Sequence, residues 1–240
     1  MSDIKSVGLV GFGEFGRLVA SLIPKDIEVL VKLRSAKTLP NRVKQASIDK
    51  VARCDVVVLC VPLASYEQVL GELATHLLTT SLLLDVCSVK VIPAQLIAKI
   101  LPEHRDVLLT HPLFGPQTIE DGIEGKRIVV TAATGKRAEL IISFCRKLGF
   151  DIVTMTNEEH DREMARVHAL TFFIARALSD MGVSPGVFSP PSYQSLLSLV
   201  KLDKAHSQAL FETMELGNPF AAETRDKFLR QLNEVNMSLK

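Results

Sequence analysis

Apolar residues follow two different rhythms along this chain, and the change comes near residue 155. Before it, short unbroken apolar runs alternate with stretches of helical spacing. Residues 4–10 form one run that leads straight into Gly11-Phe12-Gly13-Glu14-Phe15-Gly16; Leu18, Val19, Leu22 and Ile23 then recur at helical spacing until Pro24. Asp55 to Pro62 and Ser81 to Val86 are fully apolar in their centres, the pattern of parallel strands buried on both faces. Further strands are predicted at 27–33, 107–110, 127–131 and 151–155, with helices at 65–78, 92–100 and 136–148. The polar stretch 36–54 predicts one short helix. Such alternation implies an α/β fold, a Rossmann-type doubly wound and mostly parallel sheet.

From Thr156 the pattern holds no further strand. Thr156-Asn157-Glu158-Glu159 has the form of a capping box and opens a long helix, with Met164, Val167, Thr171, Ile174 and Leu178 as its predicted apolar face. Gly182, Pro185, Gly186, Pro190 and Pro191 break that helix, and two or three more are predicted over 192–239. The expected organisation is a nucleotide-binding domain over 1–155 and a small all-α C-terminal domain over 156–240, for substrate binding and dimerisation. The apolar faces of this tail, with Phe172, Phe173, Leu196, Leu197 and Phe211, exceed what so short a segment buries by itself, so a homodimer is predicted.

Composition narrows the classes. The chain has 240 residues, 47% hydrophobic and 23% charged, with a net charge of +1. That balance gives no electrostatic basis for binding nucleic acid or anionic membrane. No apolar run is long enough to span a bilayer, and the polar start leaves no room for a signal peptide. Four cysteines lack CxxC or Cys/His ligand spacing, which predicts reduced thiols in a cytoplasmic protein and no structural zinc or other metal.

Candidate chemistry clusters at predicted strand ends. In the glycine motif, Gly11 permits a tight turn, Gly13 lets the backbone approach a pyrophosphate, and Gly16 lets the helix pack on the strand. Gly11, Phe12, Gly13, Glu14, Phe15 and Gly16 are therefore assigned to cofactor binding, with Val61 and Pro62 at the end of the Asp55 run. The second strand ends in Val31-Lys32-Leu33-Arg34-Ser35, where an NAD site carries an acid for the ribose hydroxyls. Lys32, Arg34 and Ser35 instead suit a 2′-phosphate, predicting NADP, with NAD as the second possibility. The plain alternative is a solvated basic strand end, since Lys37, Arg42 and Lys44 follow. His111 ends an apolar run, and Pro112 disfavours helix at that position, so the imidazole is expected at a strand end beside the ligand crevice. Ser88 and Lys90 lie in the turn after the Ser81 strand, Lys90 as a structural closure of that turn.

Taken together, Gly11 to Gly16, Asp85-Val86-Cys87-Ser88-Val89-Lys90, Thr110-His111-Pro112-Leu113-Phe114-Gly115-Pro116, Glu159-His160-Asp161 and Tyr193-Gln194-Ser195-Leu196-Leu197-Ser198-Leu199-Val200 resemble the prephenate/arogenate dehydrogenase family of tyrosine biosynthesis. The order and spacing are similar over nearly the whole chain, most of all to the short arogenate dehydrogenases of the plant type. The resemblance implies oxidative decarboxylation of prephenate or arogenate: a hydride leaves the hydroxyl-bearing ring carbon for the nicotinamide, and loss of carbon dioxide aromatises the ring. It implies His111 as general base, a role its usual pKa near 6.5 suits, and Ser88 as hydrogen-bond partner of the same hydroxyl or of His111.

The chain departs from the family pattern at two positions. Phe172 stands where relatives commonly carry a second histidine, and Lys201 where many carry an arginine that clamps a carboxylate; a lysine cannot make that bidentate fork. His168, one turn before Phe172, is the candidate substitute, so His168, Gln194 and Lys201 are the substrate-binding candidates. His160 and Asp161 read as helix-end packing. Two rival readings are a small NADP-dependent reductase of an imine or a 3-hydroxy acid, and a non-catalytic NADP-binding regulator.

Overall fold

The structure, a computed structural model, describes residues 3–35, 38–119 and 122–240. Lys37 lies outside the described residues. The chain separates into two compact units, Met1–Asn157 and Glu158–Lys240, a division two residues later than the change in sequence pattern.

The first unit is built on one eight-stranded sheet in the order β3-β2-β1-β4-β5-β6-β7-β8. Its strands are β1 (Ser6–Val10), β2 (Glu28–Lys32), β3 (Val43–Gln45), β4 (Val56–Leu59), β5 (Leu82–Asp85), β6 (Val107–Pro112), β7 (Arg127–Ala133) and β8 (Asp151–Thr154). All neighbouring pairs are parallel except β6 and β7. The helices are α1 (Glu14–Leu22), α2 (Ile48–Ala52), α3 (Tyr66–Ala74), α4 (Val91–Ile100) and α5 (Lys136–Lys147). α1 and α5 share one face, where Leu18, Leu22, Ile141 and Phe144 border Val56, Val58 and Leu84 of the sheet. Gly8, alternating with Val7, faces the other way. A Cβ there would stand 2.5 Å from the Val51 carbonyl of α2, so this helix seats directly on β1. The sheet is thus wound on both faces, and its aliphatic core includes Leu9, Val29, Val31, Val58 and Leu82.

Two local expectations need correcting. The 36–54 segment holds β3 as well as the short helix α2. β3 has three residues and only Val43 is buried, so it leaves almost no apolar signature. β6 also continues past Thr110 through His111 and Pro112, because β7 pairs antiparallel along it (His111 opposite Val129, Pro112 opposite Ile128). His111 is therefore inside a strand and buried, rather than in the loop after one.

The second unit is helical among its described residues. A continuous helix comprises α6 (Asn157–Met164), a π-helical stretch (Ala165–Ala169) and α7 (Leu170–Asp180), followed by α8 (Pro191–Ala205), α9 (Gln208–Leu216) and α10 (Ala221–Ser238). The π stretch widens the turn and shifts every later side chain around the axis. The buried positions become Met164, Ala165, Ala169, Phe172 and Ala175, while Val167, predicted on the apolar face, is 48% exposed. No helix among the described residues is long and apolar enough to cross a membrane.

Candidate active site

The sheet register lines up the candidate chemistry. Lys32, Val10, Leu59, Asp85 and Leu109 are successive partners across β2, β1, β4, β5 and β6. These five strands run the same way, so the turns that leave this row open at one edge. Arg34 and Ser35, the glycine motif, Val61 and Pro62, Ser88 and His111 all follow it by a few residues. Carboxyl ends of parallel strands are where open α/β sheets take their ligands.

At the end of β1 the fit to a dinucleotide is one of backbone and space. Gly11 has φ +96°, and a Cβ on it would meet the Cys60 carbonyl at 2.4 Å. A Cβ on Gly16 would meet the Gly11 carbonyl at 2.7 Å, so α1 touches the strand it follows. Gly13, by contrast, has no protein atom within 4 Å of its Cβ position. It caps the N-terminus of α1, where the free N–H groups and the helix dipole favour phosphate, and it leaves that approach open. The residues present fit a nicotinamide dinucleotide.

The end of β2 is basic. Leu33 is buried, Lys32 partly so, and Arg34 and Ser35 are exposed. Two of the neighbouring cations are engaged elsewhere: Arg42 donates to the carbonyls of Ile23 (2.8 Å) and Pro24 (3.2 Å), and Lys44 pairs with Glu28 at 2.9 Å.

The ends of β5 and β6 are held by side chains. Asp85 and Lys90 are fully buried and form an ion pair. Tyr66, at the start of α3, donates its hydroxyl to the same carboxylate, and burial, then the Asp85 charge, holds its phenol well above the usual range, so it stays a donor. The Cys87 N–H adds a bond to Asp85 at 3.0 Å. Ser88, in the turn these contacts close, is half-buried. Beyond His111, Phe114 stacks on Phe150 at 5.1 Å and tilts toward Phe15 of the glycine motif at 6.4 Å. Thr118 closes the loop by accepting the Gly115 N–H at 2.9 Å.

The cysteines offer no nucleophile. Burial pushes the thiols of Cys60 and Cys87 up to about 12 and those of Cys54 and Cys145 to about 11. All four are free.

The substrate-binding candidates lie in the second unit. His168 is in the π stretch, edge-on to Phe172 at 4.8 Å, and Phe172 is edge-on to His206 at 4.9 Å. Burial, then the neighbouring imidazoles of His206 and His160, lowers the His168 pKa to about 4, which makes it a neutral, partly buried imidazole at ordinary pH. Gln194 and Lys201 are exposed on α8. His160 and Asp161 are fully buried with Nδ1 and Oδ1 at 2.7 Å, and Asn218 donates to the Asp161 carbonyl at 2.8 Å.

Tyr66 and His206 went unnoticed in the sequence. A charged residue closing the apolar run Leu82-Leu83-Leu84 was the available signal for the first, since a buried carboxylate must find donors.

Comparisons with known proteins agree with this architecture. Residues 22–153 match the family model described as prephenate dehydrogenase, nucleotide-binding domain. The chain is 30% identical to arogenate dehydrogenase 2, chloroplastic, of Arabidopsis thaliana over 253 aligned positions, which cover 99% of this chain and 71% of that protein. The chain belongs to the prephenate dehydrogenase family. Arogenate dehydrogenase 1, chloroplastic, of the same plant is 28% identical across 92% of this chain, which spans 37% of that longer protein. Among solved structures, prephenate dehydrogenase from A. aeolicus in complex with hydroxyphenyl propionate and NAD+ superposes with a TM-score of 0.77 at 20% identity, covering 98% of this chain and 91% of the other. At that identity the likeness speaks to the fold. As a member of this family, the chain is an NAD(P)-dependent dehydrogenase.

Proposed function

We propose that the protein carries out oxidative decarboxylation of prephenate or arogenate, with His111 as general base and Ser88 as its hydrogen-bonding partner at the substrate hydroxyl. The observation that carries this reading is the convergence of the glycine motif, Ser88 and His111 on one carboxyl edge of the sheet. When bound, the nicotinamide supplies the hydride acceptor. His111 takes the hydroxyl proton as the carbonyl forms, and its burial keeps competing water away. Phe114 fixes the following loop against Phe15 and Phe150, which limits how far the imidazole can drift.

A turnover assay with prephenate and arogenate, each with NADP and NAD, tests the reading directly. Turnover of either substrate supports it. Binding of cofactor with no turnover of either favours the non-catalytic regulator, and turnover of an imine or 3-hydroxy acid alone favours the reductase. His111→Asn should keep cofactor affinity and lose at least ~10²-fold in kcat. A near-normal kcat removes His111 from the chemistry.

NADP preference belongs to the same proposal. A 2′-phosphate carries close to two negative charges at neutral pH, which Arg34 meets with a fork of donors, with Ser35 and Lys32 beside it. Arg34→Ala should weaken NADP roughly ten- to a hundredfold and leave NAD nearly unchanged. Equal weakening of both in a titration makes Arg34 a surface cation.

Homodimerisation through the second unit is supported by its uncovered apolar surface. Phe172 and Leu197, expected on that surface, are buried, but Leu229, Leu232 and Val235 follow one side of α10 at 44%, 49% and 51% exposure, and Leu239 just past its end is 81% exposed. A dimer of this kind should bury upwards of about 2,000 Å². Light scattering at micromolar concentration should give twice the chain mass, and a monomer there overturns the proposal. Cytoplasmic residence is likewise proposed, supported by four thiols left unpaired as in a reducing compartment.

A further inference from the structure

We infer that the buried Asp85–Lys90 pair, with Tyr66 behind it, is the positioning device for the chemistry: it sets where Ser88 and His111 stand without touching substrate. This rests on the proposed roles of His111 and Ser88.

The register explains why such a device is needed. Pairing between β5 and β6 ends at Asp85 and Leu109, so from Thr110 onward β6 has no ladder partner on that side. On its other side, the register with β7 shifts between Leu109 and Thr110. The strand is thus least constrained by backbone bonds one residue before His111. A buried carbonyl left there without a donor would be costly, and the chain supplies one from a side chain. The Lys90 ammonium donates to the Thr110 carbonyl at 2.6 Å while pairing with the Asp85 carboxylate. The Thr110 hydroxyl reaches back to the Asp85 carbonyl at 2.8 Å. The end of β6 is therefore tied to the end of β5 twice, immediately before the histidine.

The same pair shapes the serine turn. Asp85 and Lys90 are its two ends, and the Cys87 N–H bonds to the same carboxylate inside it. Ser88 rides on a loop whose ends are clamped together. Tyr66 fixes the Asp85 carboxylate from α3. Every side chain of the pair and of Tyr66 is fully buried, and their bonds described here run to one another and to the backbone, so they are assigned as positioning residues.

The test is a double variant, Asp85→Asn with Lys90→Met, which removes both charges together and leaves none unpaired in the interior. A displacement of reacting groups by about an ångström lowers turnover by about 10²-fold. We expect a loss of kcat of that size, with NADP affinity by fluorescence titration unchanged. We also expect the His111 imidazole resonance, assigned by its disappearance in His111→Asn, to titrate at a different pH from that in the unmodified protein. A merely structural role would lower the melting temperature without moving that titration. Unchanged kcat and an unchanged His111 titration overturn the inference. If the double variant fails to fold, Tyr66→Phe and Thr110→Val decide, since each deletes one hydroxyl and no charge. A several-fold loss of kcat with a shifted His111 titration supports the inference, and wild-type values for both overturn it. The two readings fail separately: full activity in His111→Asn defeats the assigned base, whereas an inactive His111→Asn beside fully active positioning variants defeats only this inference.

Discussion

The two units bury polar groups in partly different ways. In the first, the sheet interior is aliphatic and polar side chains gather at the carboxyl edge, where each buried charge has a counter-charge: Asp85 with Lys90, backed by Tyr66. The second also partners its buried carboxylates, Asp161 with His160 and Glu215 with Arg225, but it holds one imidazole, His168, uncharged against Phe172. The first unit also covers its apolar residues well, while α10 and the Val187-Phe188 turn of the second leave large ones in solvent. The difference teaches that the sheet unit is organised to hold geometry, and the helical unit to respond to what surrounds it.

The comparison can be broken most sharply at Gly11. Gly11→Ala forces a Cβ to 2.4 Å from the Cys60 carbonyl at a positive φ, so we expect a stability loss of about 3 kcal/mol or more and no measurable cofactor binding. Wild-type melting would show that the edge is less rigid than described.

Next in size is the acid response of the second unit. Burial lowers the His168 pKa to about 4 from an ordinary 6.5, so the folded protein resists a proton that the unfolded chain accepts. The stabilising preference for neutral His168 is complete above pH 6.5 and is lost as pH falls toward 4, amounting to up to about 3 kcal/mol. Urea unfolding at pH 7.5 and pH 4.5 should show the decline, and His168→Leu should flatten it. An identical slope in the variant would move the acid sensitivity elsewhere.

The smallest effect sharpens the comparison. Gly13→Ala meets no protein atom, so its melting temperature should match the parent, while cofactor affinity falls at least about tenfold because the added methyl occupies the space left for phosphate. A variant that melts early yet binds normally would reverse the roles given to Gly11 and Gly13.

Much of the first unit was legible because its signals are local. β1, β4 and β5 are uninterrupted apolar runs, and the glycine motif sits between a strand and a helix as dinucleotide binding requires. β3 was hidden by its brevity and by the exposure of Lys44 and Gln45. The register shift after Met164 was hidden because a π stretch alters the helical period without altering composition. At the site, His111 and Ser88 stood out as residues, whereas the tie between Lys90 and Thr110 joins residues 20 apart in sequence and exists only once the sheet forms. Arg42 and Lys44 spoke in the sequence for a merely solvated basic stretch, and only the fold shows their partners at Ile23, Pro24 and Glu28.

The raised thiol pKa values have a practical side. Cys54, Cys60, Cys87 and Cys145 are distributed after α2, after β4, beyond β5 and within α5, and each reacts as a thiolate that the folded chain does not readily form. For the buried pair, Cys54 and Cys87, alkylation therefore waits for the segment to open. Those two are internal clocks, and Cys87, at the carboxyl edge of the sheet, times the breathing of the turn that carries Ser88.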